Sequence, residues 1–206
     1  VVRLFRMNST NSYPPGTVRA LLDTDTVTPA TRRVLQARME TPAEPRFFQP
    51  DEWVLLRSIR ERLIPQPDRT EPIEPEWEVD QRLWEGKTNG WRYDEFPTDG
   101  EAYRHALRAI EASVWSRYGG NWAQLTDSER DELLRNVQRG EVPHRSWGRV
   151  QPKRFFEELL AELIEVYYAH PLAQEEIGYV GMADVPGWRR IGLNEREPRE
   201  PQAEKA

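Results

Sequence analysis

The stretch PKRFFEELLAELIEVYYA, residues 152–169, decides the fold. Pro152 suits a first helical position, where no N–H is needed. Phe155, Leu159, Leu163 and Val166 then recur at helical spacing, and Phe156, Leu160, Ile164 and Tyr168 form a second apolar stripe beside them. Two adjacent stripes predict a central, widely buried helix. Glu157, Glu158, Glu162 and Glu165 fall to its polar side in this reading. Pro171 breaks the pattern, and His170 just before it is expected to cap the C-terminus, where a cationic imidazole complements the negative helix end.

The same signals recur upstream. Thr126 and Glu129 make a capping box that opens a helix over 127–139, stopped by Gly140. Tyr103, Leu107, Ile110 and Val114 mark one face of a helix over 101–118, ended by Gly119-Gly120. Trp53, Leu56, Ile59 (or Arg60) and Leu63 mark another over 52–64, ended by Pro65. A shorter helix is predicted over 76–84. Thr28-Pro29 opens one that runs to about Arg38, and 16–22 is a short helical candidate.

Between these lie proline-rich connections at 41–50 and 65–75 and a loop at 87–97, with Trp91, Tyr93 and Phe96 as anchors. Residues 172–193 read as irregular. No alternating strand and no internal repeat is visible. The fold class is therefore all-α: a single helical domain of about five core helices, with long aromatic-anchored loops and an extended N-terminal arm. The expected organisation is an arm at 1–46, the helical domain at 47–193 and a charged, disordered tail at 194–206.

Composition narrows the function. Of 206 residues, 37% are apolar and 31% charged, which is lean for a core, yet 10% are aromatic and eight are Trp. The formal net charge of -6 argues against a general nucleic-acid binder. No apolar run reaches the length of a membrane span, so membrane insertion is not expected. Cysteine is absent, which removes thiol nucleophiles, disulfides and cysteine metal sites. The opening residues turn polar at Asn8, and Arg32-Arg33 leads into a helix rather than an export signal. The sequence as given reads as cytoplasmic, or periplasmic if a leader has been removed.

Candidate chemistry is sparse. His105, His144 and His170 lack a second ligand at metal spacing. Gly178 and Gly181 have neither the spacing nor the preceding strand of a dinucleotide turn, and GxSxG is missing. No catalytic, cofactor or metal residue is assigned to this chain. The alternative is an independent oxidoreductase or hydrolase site near His170, Glu175, Glu176 and Tyr179, with the paired acids as proton donor and acceptor. The aromatics favour binding, because Trp and Tyr concentrate where one protein is buried against another; the competing reading is that they pin long loops to a weak aliphatic core.

At the C-terminal half a family pattern emerges. Phe155-Phe156 and Leu159-Leu160 lead into Tyr167-Tyr168-Ala169-His170-Pro171, then Glu176-Ile177-Gly178-Tyr179, Gly181 and Gly187-Trp188-Arg189-Arg190-Ile191-Gly192. This resembles the gluconate 2-dehydrogenase subunit 3 family, over about Phe47 to Leu193. The resemblance implies a small subunit of a sugar or aldonate dehydrogenase. In such complexes a glucose-methanol-choline type subunit carries FAD and the catalytic residues, and some add a cytochrome c subunit. The small subunit serves assembly, stability or export. The expected partner-binding residues are Tyr167, Tyr168, His170, Tyr179, Met182 and Trp188.

Overall fold

A computed structural model describes residues 13–40, 42–67, 69–88, 97–181, 184 and 187–203. Among these the regular structure is entirely helical, as expected. The helices are α1 (Arg19–Leu22), α2 (Pro29–Ala37), α3 (Pro50–Leu63), α4 (Glu76–Trp84), α5 (Asp99–Tyr118), α6 (Asp127–Arg139), α7 (His144–Trp147), α8 (Pro152–Ala169) and α9 (Pro171–Glu176). A short 3-10 turn at Trp122–Gln124 precedes α6. The loop anchors Trp91, Tyr93 and Phe96 lie outside the described residues.

Helix ends follow their caps. Thr126 and Glu129 close the capping box of α6, and Gly140 ends it in the left-handed region at φ 73°. Glu101 accepts the Thr98 N–H at 3.1 Å, so α5 starts two residues earlier than its apolar spacing indicates. One expectation is corrected: the start of 172–193, read as irregular, is helical, because residues 172–176 belong to α9. Pro171 ends one helix and also occupies the first position of the next, where its missing N–H costs nothing.

The chain divides into two compact units, one within residues 42–164 and the other within 7–41 and 165–206. In the first, α3 packs against α4, α5 and α6, and α5 against α7. The core is aromatic at its centre. Tyr103 meets Phe155 edge-on at 5.3 Å, Phe48 lies 6.0 Å from Tyr103, and fully buried Trp147 lies 6.3 Å from Phe155. Aromatic area thus makes up for the small aliphatic share. On α8, Phe155, Phe156, Leu159 and Leu163 are buried, whereas Leu160 and Ile164 are only half-buried, so the second stripe is shallower than predicted.

Glu162 is a second correction. It is buried rather than solvated, because three residues after Leu159 it remains on the inner side of α8. Arg82 clamps it through Nε at 2.5 Å and Nη2 at 2.9 Å, and the Tyr103 hydroxyl donates to it at 2.6 Å. Burial, then the Glu162 charge, push the Tyr103 hydroxyl well above its ordinary pKa, so it stays a donor. This network ties α4, α5 and α8 together. Buried Asp80 accepts the N–H groups of Arg46, Phe47 and Phe48 at 2.7, 3.0 and 3.0 Å, which fixes the chain ahead of α3. Arg60 and Glu76 form a buried bidentate pair at 3.0 and 2.9 Å. Burial pushes the Glu76 carboxyl up, against the pull of Arg60.

In the second unit, Leu22, Val27 and Leu35 form a small apolar cluster with Leu21. Val18, Tyr167, Ala173 and Val180 are buried in this unit as well, and polar contacts add to them.

Candidate functional site

The residues picked out by sequence gather in the second unit, around the end of α8, α9 and the turns that follow. His170 is not the cap expected for α8. Its Nδ1 accepts the Leu172 N–H at 3.2 Å, so it caps the start of α9, a contact that requires an unprotonated Nδ1. The basic group at the end of α8 is Arg38, whose Nη1 donates to the Ala169 carbonyl at 3.0 Å. A guanidinium just past α2 thus meets an orphan carbonyl at the negative helix end.

Glu175 is buried and saturated. Its carboxylate accepts the Gly16 N–H at 2.8 Å, the Arg19 N–H at 3.0 Å, and the Arg19 guanidinium at 3.1 and 3.0 Å. Burial raises its pKa, but Arg19 and the two backbone donors outweigh that and hold the carboxyl below its ordinary range. Glu176 accepts from the Tyr167 hydroxyl at 3.2 Å. Gly178 is left-handed at φ +66°, and the Tyr13 ring lies where a side chain would go, 2.6 Å from an added Cβ. Asp184 accepts the Thr28 N–H at 2.6 Å. Tyr13, Gly16, Arg19, Thr28 and Arg38 therefore clasp the C-terminal turns. Sequence reasoning missed this clasp; a lone Arg and a lone Glu so far apart carry no local pattern.

Of the predicted partner-binding residues, Tyr167 is buried, and its ring meets Tyr168 edge-on at 5.2 Å. Tyr168 and His170 are half-buried. Tyr179 is 48% exposed, its hydroxyl bonded to the Gly181 carbonyl at 2.8 Å, and Trp188 is 44% exposed. Met182 lies outside the described residues. The Arg199 guanidinium stacks over Trp188 at 4.7 Å and donates to the Gly187 carbonyl at 2.6 Å.

As a catalytic constellation this arrangement is poor. A general acid must carry a proton to give, and Glu175, its pKa depressed, carries none at neutral pH. A general base needs a lone pair aimed at substrate, and four donors already occupy its oxygens. Among the described residues, no group of three or more His, Asp or Glu is placed to hold a metal ion, and no helix is long and apolar enough to cross a membrane.

The fold is all-helical, and in these turns Glu175, Glu176 and Asp184 bond to the protein's own segments. The family model described as Gluconate 2-dehydrogenase subunit 3 matches residues 50–187, and the chain belongs to that family. The match spans α3 to α9 and leaves out the clasping arm and the turns beyond Gly187. No curated protein and no solved structure matches the chain at a significant level.

Proposed function

We propose that this chain is the non-catalytic small subunit of an FAD-dependent, glucose-methanol-choline type sugar or gluconate dehydrogenase, and that it supports assembly and stability of the catalytic flavoprotein. The family match over 50–187 carries this reading, because the family is described as one subunit of a dehydrogenase. The engagement of Glu175, Glu176 and His170 in structural bonds supports it. FAD belongs to the partner in this reading. A dinucleotide cradle needs a strand before its glycine turn, and the described residues contain no strand. The segment from Tyr167 to Ile191 is the partner contact in this reading, with Tyr179 and Trp188 exposed and Tyr167 buried.

Co-expression with a glucose-methanol-choline type flavoprotein from the same genome tests this. Flavin absorbance and dehydrogenase activity are expected to co-purify with the chain, and the flavoprotein made alone is expected to be scarce or inactive. A flavoprotein equally abundant and active without the chain would overturn the reading.

A further inference from the structure

Beyond Gly187 the surface changes character. Glu195, Glu197 and Glu200 all turn carboxylate oxygens onto backbone N–H groups. Glu195 accepts from Gly192 at 3.2 Å, Glu200 from Glu197 at 2.5 Å, and Glu197 from Arg190 at 2.7 Å and also from Arg189. The N–H groups of Arg190 and Arg189 hold the Glu197 carboxyl below its ordinary range. Meanwhile Arg189, Arg190 and Arg196 are exposed. Ile191 and Leu193 stand 83% and 93% exposed between them, beside half-exposed Trp188.

In a chain of net charge -6, residues 187–203 carry four arginines, Arg189, Arg190, Arg196 and Arg199, against three glutamates, of which Glu197 is buried against backbone N–H groups. We infer that Trp188, Arg189, Arg190, Ile191, Leu193 and Arg196 form a recognition surface for an acidic patch with apolar neighbours on a protein partner. The partner is the flavoprotein subunit, so the inference rests on the function proposed above. Three observations lead there. Exposed Ile191 and Leu193 bury nothing for their own fold, and their burial elsewhere is the gain on offer. Arginine forks match carboxylates in bidentate geometry, and Arg and Trp dominate the energetics of protein interfaces. The Glu197 bonds and the Arg199 contact to Gly187 shape the loop beforehand, which lowers the ordering cost of binding.

The test uses the full chain and the purified flavoprotein subunit. Arg189→Glu/Arg190→Glu/Arg196→Glu is expected to weaken binding by about tenfold or more and to reverse its salt dependence, since like charges then face each other. The corresponding Gln triple is expected to fall between, which separates charge recognition from misfolding. Ile191→Ser/Leu193→Ser is expected to weaken binding without changing the salt dependence. If wild-type chain fails to bind the flavoprotein, the proposed function falls and this inference with it. If wild type binds and charge reversal changes neither affinity nor salt dependence, this inference alone falls. Flotation of the wild type with phosphatidylglycerol vesicles, lost on charge reversal while flavoprotein binding persists, would assign the loop to lipid and overturn it as well.

Discussion

Arg19 lays its guanidinium across both carboxylate oxygens of Glu175, 156 residues further along the chain. The same carboxylate takes the N–H of Gly16 and of Arg19 itself. One buried acid thus organises the start of α1.

Glu175→Ala is expected to cost the second unit about 1–3 kcal/mol, since two backbone donors lose their partner while half-exposed Arg19 returns to water. Hydrogen exchange at the Gly16 and Arg19 amides is the measurement, and protection is expected to drop there before it drops in α3 or α5.

The same contact sets a pH dependence. The folded-state pKa of Glu175 is depressed, so its contribution is complete above the unfolded value, about 4.3, and is lost as pH falls through the lower folded value. Protection at Gly16 and Arg19 is expected to hold from neutral pH to about 5 and to fall below that range, with Glu175→Gln lacking the acid transition. Glu76 in the first unit has the opposite sign, because burial raises its pKa and its contribution declines as pH rises through the folded value. Amide-resolved exchange separates the two.

Gly178→Ala is expected to destabilise by about 1–2 kcal/mol for the left-handed backbone alone, and further because the added Cβ meets the Tyr13 ring. In a Tyr13→Ala background the same substitution is expected to cost less. Thermal melts of the four proteins of the cycle give the coupling, and a cycle without coupling would remove Tyr13 from the account.

Tyr103→Phe removes a hydrogen bond to a buried carboxylate and is expected to cost about 1.5–3 kcal/mol in urea unfolding. Glu162→Ala is expected to cost about 3–5 kcal/mol, since Arg82 stays largely buried with Asp99 as its remaining carboxylate partner among the contacts described here.

Tyr179→Ala/Trp188→Ala is expected to leave the melting temperature of the isolated chain unchanged within the usual surface range of about 0.5 kcal/mol, while weakening capture of the flavoprotein. A large drop in melting temperature would place these rings in the core instead.

The helices were legible where local chemistry writes them. Thr126, Glu129 and Gly140 bracket α6, and Tyr103, Leu107, Ile110 and Val114 are all buried on α5 as their spacing requires. Local pattern fails where a residue answers to something distant. Glu162 looks like one more solvated acid until Arg82 and Tyr103 arrive from two other helices. Pro171 reads as a stop, and only the structure shows that it is also a start. His170 sits at the right place for a cap, yet the helix it caps is the one that follows. The clasp draws on Gly16, Arg19, Thr28 and Arg38, a pairing across the whole chain for which no local periodicity exists.

The second unit is drawn from both ends of the polypeptide, which gives its formation an order in time. On the ribosome, residues 13–40 emerge first and find no seat, since Glu175 and Asp184 have not yet been made. The first unit has every residue of its core once Leu163 has left the exit tunnel. The arm waits through all of that. A chain cut short before Leu172 would hold every residue of the first unit's core yet lack Glu175 and Asp184, so the arm's clasp reports that the C-terminal turns have been made.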